Sequence, residues 1–189
     1  MEKDCAQLMS MLSNTNLTRR RQAMRTLQHR EFLPCILEAM SNHDTTSEMK
    51  RLITEIIYRA RWQEALPSLI QQLRTRDSKL RSITAEALGA IGDASAGPAL
   101  LEILSDKDQP TSVRDTAALS LGMVRYRPAM PHLVATLADP ADSVRRTAAQ
   151  ALQLLADPSA IEALQHARDI EANQRVRAAI DAALVAFID

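Results

Sequence analysis

The chain has 189 residues, is 46% hydrophobic and 24% charged, and balances 23 Lys+Arg against 23 Asp+Glu. That is ordinary globular composition with enough length to bury a core. Only 4 Gly and 3% aromatics favour helix over sheet, and no stretch approaches the ~18 apolar residues that span a bilayer.

In chain order, "MEKDCAQLMSMLSN" reads as an orphan helix near 3–13. Acids stand where a signal peptide is basic and no small-residue cleavage site follows, so a cytoplasmic protein is expected. Cys5 and Cys35 form no CxxC pair. They are expected as reduced, semi-buried thiols, without a disulfide framework or zinc knuckle. "NLTRRRQAMRTL" keeps Ala23, Met24 and Leu27 on a helical core face but lacks a run of small residues, so residues 1–48 read as a degenerate capping region. The run Thr18–Arg25, "TRRRQAMR", raises nucleic-acid binding, which needs several placed cations. The charge gradient argues against it: residues 1–81 hold 14 Lys+Arg and 9 Asp+Glu, whereas residues 82–189 hold 9 and 14.

From Met49 onward a cassette returns, starting at Met49, Leu80, Val113, Val144 and Val176 with spacings of 31, 33, 31 and 32. Pro34, Pro67, Pro98 and Pro131 keep the same step, with Glu162 at the fifth place. Two marker series on one period indicate stacked repeats. Helix pairs are predicted near 16–29/32–41, 48–61/64–75, 79–91/95–105, 111–125/128–138 and 142–156/159–169, with a last helix over about 173–188. Val113, Ala117, Leu121 and Val124 mark one face of a 3.6-period helix. Gly92 suits a left-handed turn, Asp93 a cap, and each proline the first turn of the second helix. The last helix, "VRAAIDAALVAFID", is apolar nearly all round and ends on Leu184, Phe187 and Ile188. It either folds back tightly or meets another chain, so self-association through it is open. No unit buries its apolar face alone, and the expected fold is all-α: a right-handed α-solenoid of about five two-helix repeats plus terminal helices, in a single domain over 1–189 with regular repeats over 49–189.

"LRSITAEALGAIGDASAGPALLEILSD", "VRDTAALSLG" with "RPAMPHLVATLAD", and "VRRTAAQALQLLADPSAIEAL" resemble the short HEAT-like repeats first noted in phycobilin lyases. The resemblance is clear over 49–189 and weaker over 14–48. It implies the fold, but the family spans bilin lyase subunits, an iron hydroxylase, DNA-repair relatives and many adaptors. Deoxyhypusine hydroxylase carries His-Glu pairs just after the cassette arginine, where they bind di-iron. The matching places here read Arg51-Leu52, Ser82-Ile83, Asp115-Thr116, Arg146-Thr147 and Ala178-Ala179. His29, His43, His132 and His166 show no paired spacing, so no metal or other cofactor is expected.

The cassette basic residue, Lys50, Arg81, Arg114, Arg145 or Arg177, follows loop acids Asp77, Asp108, Asp139 with Asp142, and Glu171. A structural Arg–Asp link per repeat is expected rather than a ladder of anion contacts. Positions two, three and six after the cassette start vary: Arg51, Leu52 and Glu55; Ser82, Ile83 and Glu86; Asp115, Thr116 and Leu119; Arg146, Thr147 and Gln150. The resemblance implies that they line a concave face, with Leu52, Ile83 and Leu119 as an apolar centre inside a charged rim. The alternative is that these apolar side chains fold onto the core. Trp62 and Tyr126 replace the Asp of "GD", and either anchor a partner beside Arg59, Arg61, Arg125 and Arg127 or fill loop gaps. No nucleophile elbow or phosphate loop is present. The expectation is a non-enzymatic adaptor holding a protein or peptide. A bilin-lyase-like or chromophore-protein handling factor and a DNA-binding module are the alternatives, with no membrane partner.

Overall fold

The computed structural model describes residues 2–187, with side chains over 4–187; Ile188 of the last helix lies outside them. Among the described residues all regular structure is helical: α1 (Glu2–Leu12), α2 (Leu17–Thr26), α3 (Leu33–Ser41), α4 (Ser47–Ala60), α5 (Leu66–Gln72), α6 (Ser78–Ile91), α7 (Gly97–Ser105), α8 (Thr111–Met123), α9 (Met130–Thr136), α10 (Asp142–Leu155), α11 (Ile161–Ile170) and α12 (Gln174–Val185). None is long and apolar enough to cross a membrane. The backbone clusters into two compact units, Met1–Ala87 and Leu88–Asp189.

The second helix of each repeat starts later than its expected α-helical limits. A 3-10 turn comes first, at Arg30–Phe32, Gln63–Ala65, Ala94–Ala96, Arg127–Ala129 and Pro158–Ala160. Proline then sits in the first positions of α3, α5, α7 and α9. There its fixed φ suits the helix and its missing N–H forfeits no intrahelical bond. First helices stop on a left-handed residue: Arg61 (φ 51°), Gly92 (80°), Arg125 (51°) and Ala156 (50°). Only Gly92 takes this conformation without steric cost, so in the other repeats the turn is imposed by packing on either side of it.

In the first unit, Leu12, Leu27, Ile36, Ile53, Ile56, Ile57 and Leu69 are fully buried. A polar knot joins three helices there. The Gln72 side-chain amide donates to Thr54 Oγ1 at 2.7 Å and Thr84 Oγ1 at 3.0 Å, and those hydroxyls donate to the carbonyls of Lys50 and Leu80. Every link keeps a buried polar group satisfied and fixes the rotation of α4 and α6 about α5. The two cysteines depart from expectation. Cys5 on α1 and Cys35 on α3 are disulfide-bonded across a Cα–Cα distance of 6.6 Å. The residues between them, 6–34, fold so that the orphan helix lies against the first repeat, a juxtaposition invisible to local spacing rules.

In the second unit α10 packs against both α8 and α12. Small residues allow the approach: Ala117, Ala118, Ala148, Ala149 and Ala151 are completely buried. A Cβ added at Gly122 would stand 2.6 Å from Ala151 Cα, a backbone atom that cannot swing aside. Gly122→Val is therefore expected to cost roughly 1–3 kcal/mol by overpacking, or more if α8 and α10 separate. Chemical denaturation of the variant beside wild type measures it, and an unchanged midpoint would show that the α8–α10 contact has slack.

Candidate functional site

The expected ladder of basic side chains is present, and it removes several of them from any binding role. Arg114 pairs with Asp139, Arg145 Nε donates to Glu171 Oε2 at 2.7 Å, and Arg51 Nη1 donates to Asp77 Oδ2 at 3.0 Å. The linking acid lies 25 or 26 residues after the arginine, in the loop of the following repeat, not in the loop before it. The preceding loop supplies backbone carbonyls instead: Arg81 donates to Thr75 O, Arg145 to Asp139 O and Arg177 to Glu171 O. In the α4 repeat the ladder uses Arg51 rather than the expected Lys50, and Arg51 also pairs with Glu48. Arg51, expected at a partner surface, is thus engaged within its own unit.

Each ladder acid also shapes its loop. Asp77 Oδ1 accepts from the backbone N–H of Lys79 and Leu80, Asp139 Oδ1 from Ala141, and Glu171 Oε1 from Asn173. The pKa directions follow. Burial works to raise Asp139, but the Ala141 N–H, the Arg114 guanidinium and the Lys107 ammonium outweigh it and hold the carboxyl below its ordinary value. The Arg145 guanidinium holds Glu171 low, with N–H donors of its loop adding and burial opposing.

The variable positions fall at the margins of the first helices. In the first unit Leu52 and Glu55 on α4, and Ser82 and Ile83 on α6, are half-buried, and Glu86 is exposed. Glu55 accepts from Arg59, one turn on, at 2.7 Å. In the second unit Asp115, Thr116 and Leu119 on α8, and Arg146 and Gln150 on α10, are half-buried. Thr147 is not a surface position: it is 2% exposed, its hydroxyl bonded to the Ser143 and Val144 carbonyls. Burial pushes the Asp115 carboxyl up from its ordinary value, against the Thr147 hydroxyl, the Arg146 guanidinium and the Ser143 hydroxyl.

The aromatic pair is partly enclosed. Trp62, expected as a possible exposed anchor, is only 6% exposed, where it precedes the 3-10 turn of its repeat. The Tyr126 ring is half-buried and lies so close over Gly97 that a Cβ there would overlap it.

Sequence reasoning missed a cleft of about 260 Å³ in the first unit, lined by Arg21, Met24, Arg25, Gln28 and Arg59. The "TRRRQAMR" run signalled charge there but not where it converges. Among the described residues no group of three or more His, Cys, Asp or Glu converges as a metal site.

A family model described as HEAT repeats matches residues 33–111 and 98–184. An engineered protein from the Northeast Structural Genomics Consortium is similar at 20% identity and a TM-score of 0.65, over 98% of each chain. The complex of CpcE and CpcF of phycocyanin lyase from Nostoc sp. PCC7120 is similar at 15% identity and a TM-score of 0.63, over 97% of this chain and 94% of that one. A designed armadillo repeat protein in complex with the peptide (KR)4 is similar at 16% identity and a TM-score of 0.60, over 96% and 98%. No curated protein matches the sequence.

Proposed function

The chain belongs to the HEAT-repeat family, and we propose that it is a non-catalytic adaptor that holds a protein or peptide on the variable positions of its first helices. One observation carries this reading. The apolar cassette starts Leu80, Val113, Val144 and Val176 are buried and serve packing, whereas most variable positions, Thr147 excepted, keep part of their surface and include large apolar side chains: Leu52 and Ile83 in the first unit, Leu119 in the second. An apolar side chain left part-wet at a non-repeating place gains most when a partner covers it. The peptide complex of the designed armadillo protein supports a peptide or protein as ligand for this kind of fold. The likeness to phycocyanin lyase is at 15% identity and speaks to fold alone, so no chromophore role is drawn from it. The places that hold His-Glu pairs in the iron hydroxylase carry Arg51-Leu52, Ser82-Ile83, Asp115-Thr116, Arg146-Thr147 and Ala178-Ala179, which supports a non-enzymatic role.

Ile83→Asp tests the reading. Burying such a side chain at an interface contributes roughly 1.5–3 kcal/mol, so affinity for the protein co-purified from the native host is expected to fall roughly ten- to a hundredfold. Arg175→Asp, at an exposed place on α12, is the control and is expected to bind normally. Titration calorimetry reads the affinity and a thermal melt reads the fold. Normal binding by Ile83→Asp would overturn the assignment of this surface, and loss of the folded state would place Ile83 in the core.

A further inference from the structure

Helix α2 carries Arg19, Arg20, Arg21 and Arg25 within ten residues and no acid. Its N-terminus is satisfied by Asn16, whose side chain accepts from the N–H groups of Thr18 and Arg19. Arg20 is used structurally, donating to the Asn14 carbonyl. Arg21 and Arg25 are different. They stand one turn apart on one helix face, where like charges repel. Both are exposed, and among the described residues neither guanidinium has an ion pair or hydrogen bond. Across from them stands Arg59 of α4, exposed and held by Glu55 at 2.7 Å. The three arginines meet in the cleft of about 260 Å³, with Met24 and Gln28 between them. A second cleft of about 270 Å³, lined by Thr18, Arg21, Gln22, Arg25 and Thr26, continues it along α2. No acid lines either cleft.

We propose that this cleft is the docking site for an acidic segment of a partner protein, its Asp or Glu carboxylates taken by Arg21 and Arg25, with Arg59, already paired with Glu55, beside them. Charge complementarity and guanidinium geometry favour it, since a planar fork pairs a carboxylate through two parallel hydrogen bonds. The thioether of Met24 and the amide of Gln28 fit the stem and backbone of a peptide. A nucleic acid fits less well. It needs a longer cationic track or stacking aromatics, and no aromatic lines the cleft. Residues 88–189, with 9 Lys+Arg against 13 Asp+Glu, carry no net positive charge to favour a nucleic acid. Leu52, Glu55 and Arg59 share one stripe of α4 at i, i+3 and i+7, so the cleft continues the surface assigned above and rests on that reading while naming the partner's chemistry.

The test is fluorescence anisotropy with labelled octaglutamate, octalysine and a dodecamer of thymidylate, at low and physiological salt. Octaglutamate is expected to bind and the other two are not. Arg21→Glu with Arg25→Glu is expected to weaken it at least about tenfold. Arg74→Glu with Arg76→Glu, an equal charge change at exposed places of the same unit, is expected to change it less than about threefold. Equal losses from the two pairs, no loss from the first, or tighter binding of the oligonucleotide would overturn the proposal. Octaglutamate reports on the cleft alone. If Ile83→Asp abolishes binding of the co-purified protein while Arg21→Glu with Arg25→Glu leaves both ligands bound, the adaptor reading stands and the cleft assignment fails.

Discussion

Asp139→Ala is expected to destabilise the second unit by about 3–5 kcal/mol, the loss typical of removing one partner of a buried ion pair. The Asp139 side chain is fully enclosed and that of Arg114 is 8% exposed. Truncation leaves the guanidinium in an enclosed site, where its Nε still donates to the Gln109 carbonyl at 3.3 Å. It also removes the acceptor of the Ala141 N–H that starts α10. The pair is no simple surplus of stability, because both charges had to be desolvated. Replacing the pair by Arg114→Met with Asp139→Leu is therefore expected to cost clearly less than Asp139→Ala alone. Urea denaturation of the variants checks this, and a loss below about 1 kcal/mol for Asp139→Ala would mean that water reaches the site. The same residue sets an acid dependence. Its folded pKa lies below the ordinary value, so its contribution is whole above about pH 3.9, the unfolded value, and drains away as pH falls through the folded one. Glu171 has the same sign. Asp115 has the opposite sign, since its folded pKa is raised and its protonation relieves a burial cost. Thermal midpoints of wild type should thus fall on acidification more steeply than those of Asp139→Ala.

Cys35→Ala is expected to lower the stability of the first unit by about 3–4 kcal/mol, from the chain entropy regained by a loop of this length. The bond ties α1 to α3 across a sequence separation of 30, with Cys5 5% exposed and Cys35 half-buried. Thiol titration of the denatured protein should find no free thiol before reduction and two after it. Reductant should lower the unfolding midpoint of wild type and leave that of Cys35→Ala unmoved. An equal effect on both, or none on either, would show that the bridge does not hold α1. A bridge of this kind persists in oxidising surroundings, whereas the N-terminal residues led to the expectation of a cytoplasmic protein with reduced thiols. Trapping of thiols in intact cells decides which state the native chain keeps.

Much of the architecture was readable from residue order. The 31–33-residue step, the prolines and the alternation of helices are local facts, repeated along the chain, and each repeat reports them independently. The helix limits shifted where a 3-10 turn precedes the second helix of each repeat, and α2, α5 and α9 end two or three residues early, differences of backbone winding that side-chain period does not register. The candidate site was less readable. Leu52, Ile83 and Leu119 stand half-buried at variable places, and Thr147 at one of those places is enclosed. The repeat alignment treats equivalent positions as equal, while the actual exposure depends on what each neighbouring helix brings against them.

Sequence by itself determined the helical class, the repeat step, the small residues that let helices approach and the presence of a basic side chain in each cassette with acids in the loops, because these follow from spacing along one helix and from the chemistry of each side chain. Only the tertiary structure decided that Arg51, Arg114 and Arg145 reach the acid of the following loop, that Arg51 takes the place expected of Lys50, that Trp62 turns inward, that Cys5 meets Cys35, and that Arg21, Arg25 and Arg59 share a cleft. All of these join residues from different helices. Their distances depend on the rotation and offset between stacked elements, which packing and buried knots such as Gln72 with Thr54 and Thr84 set, and which no period along the chain encodes.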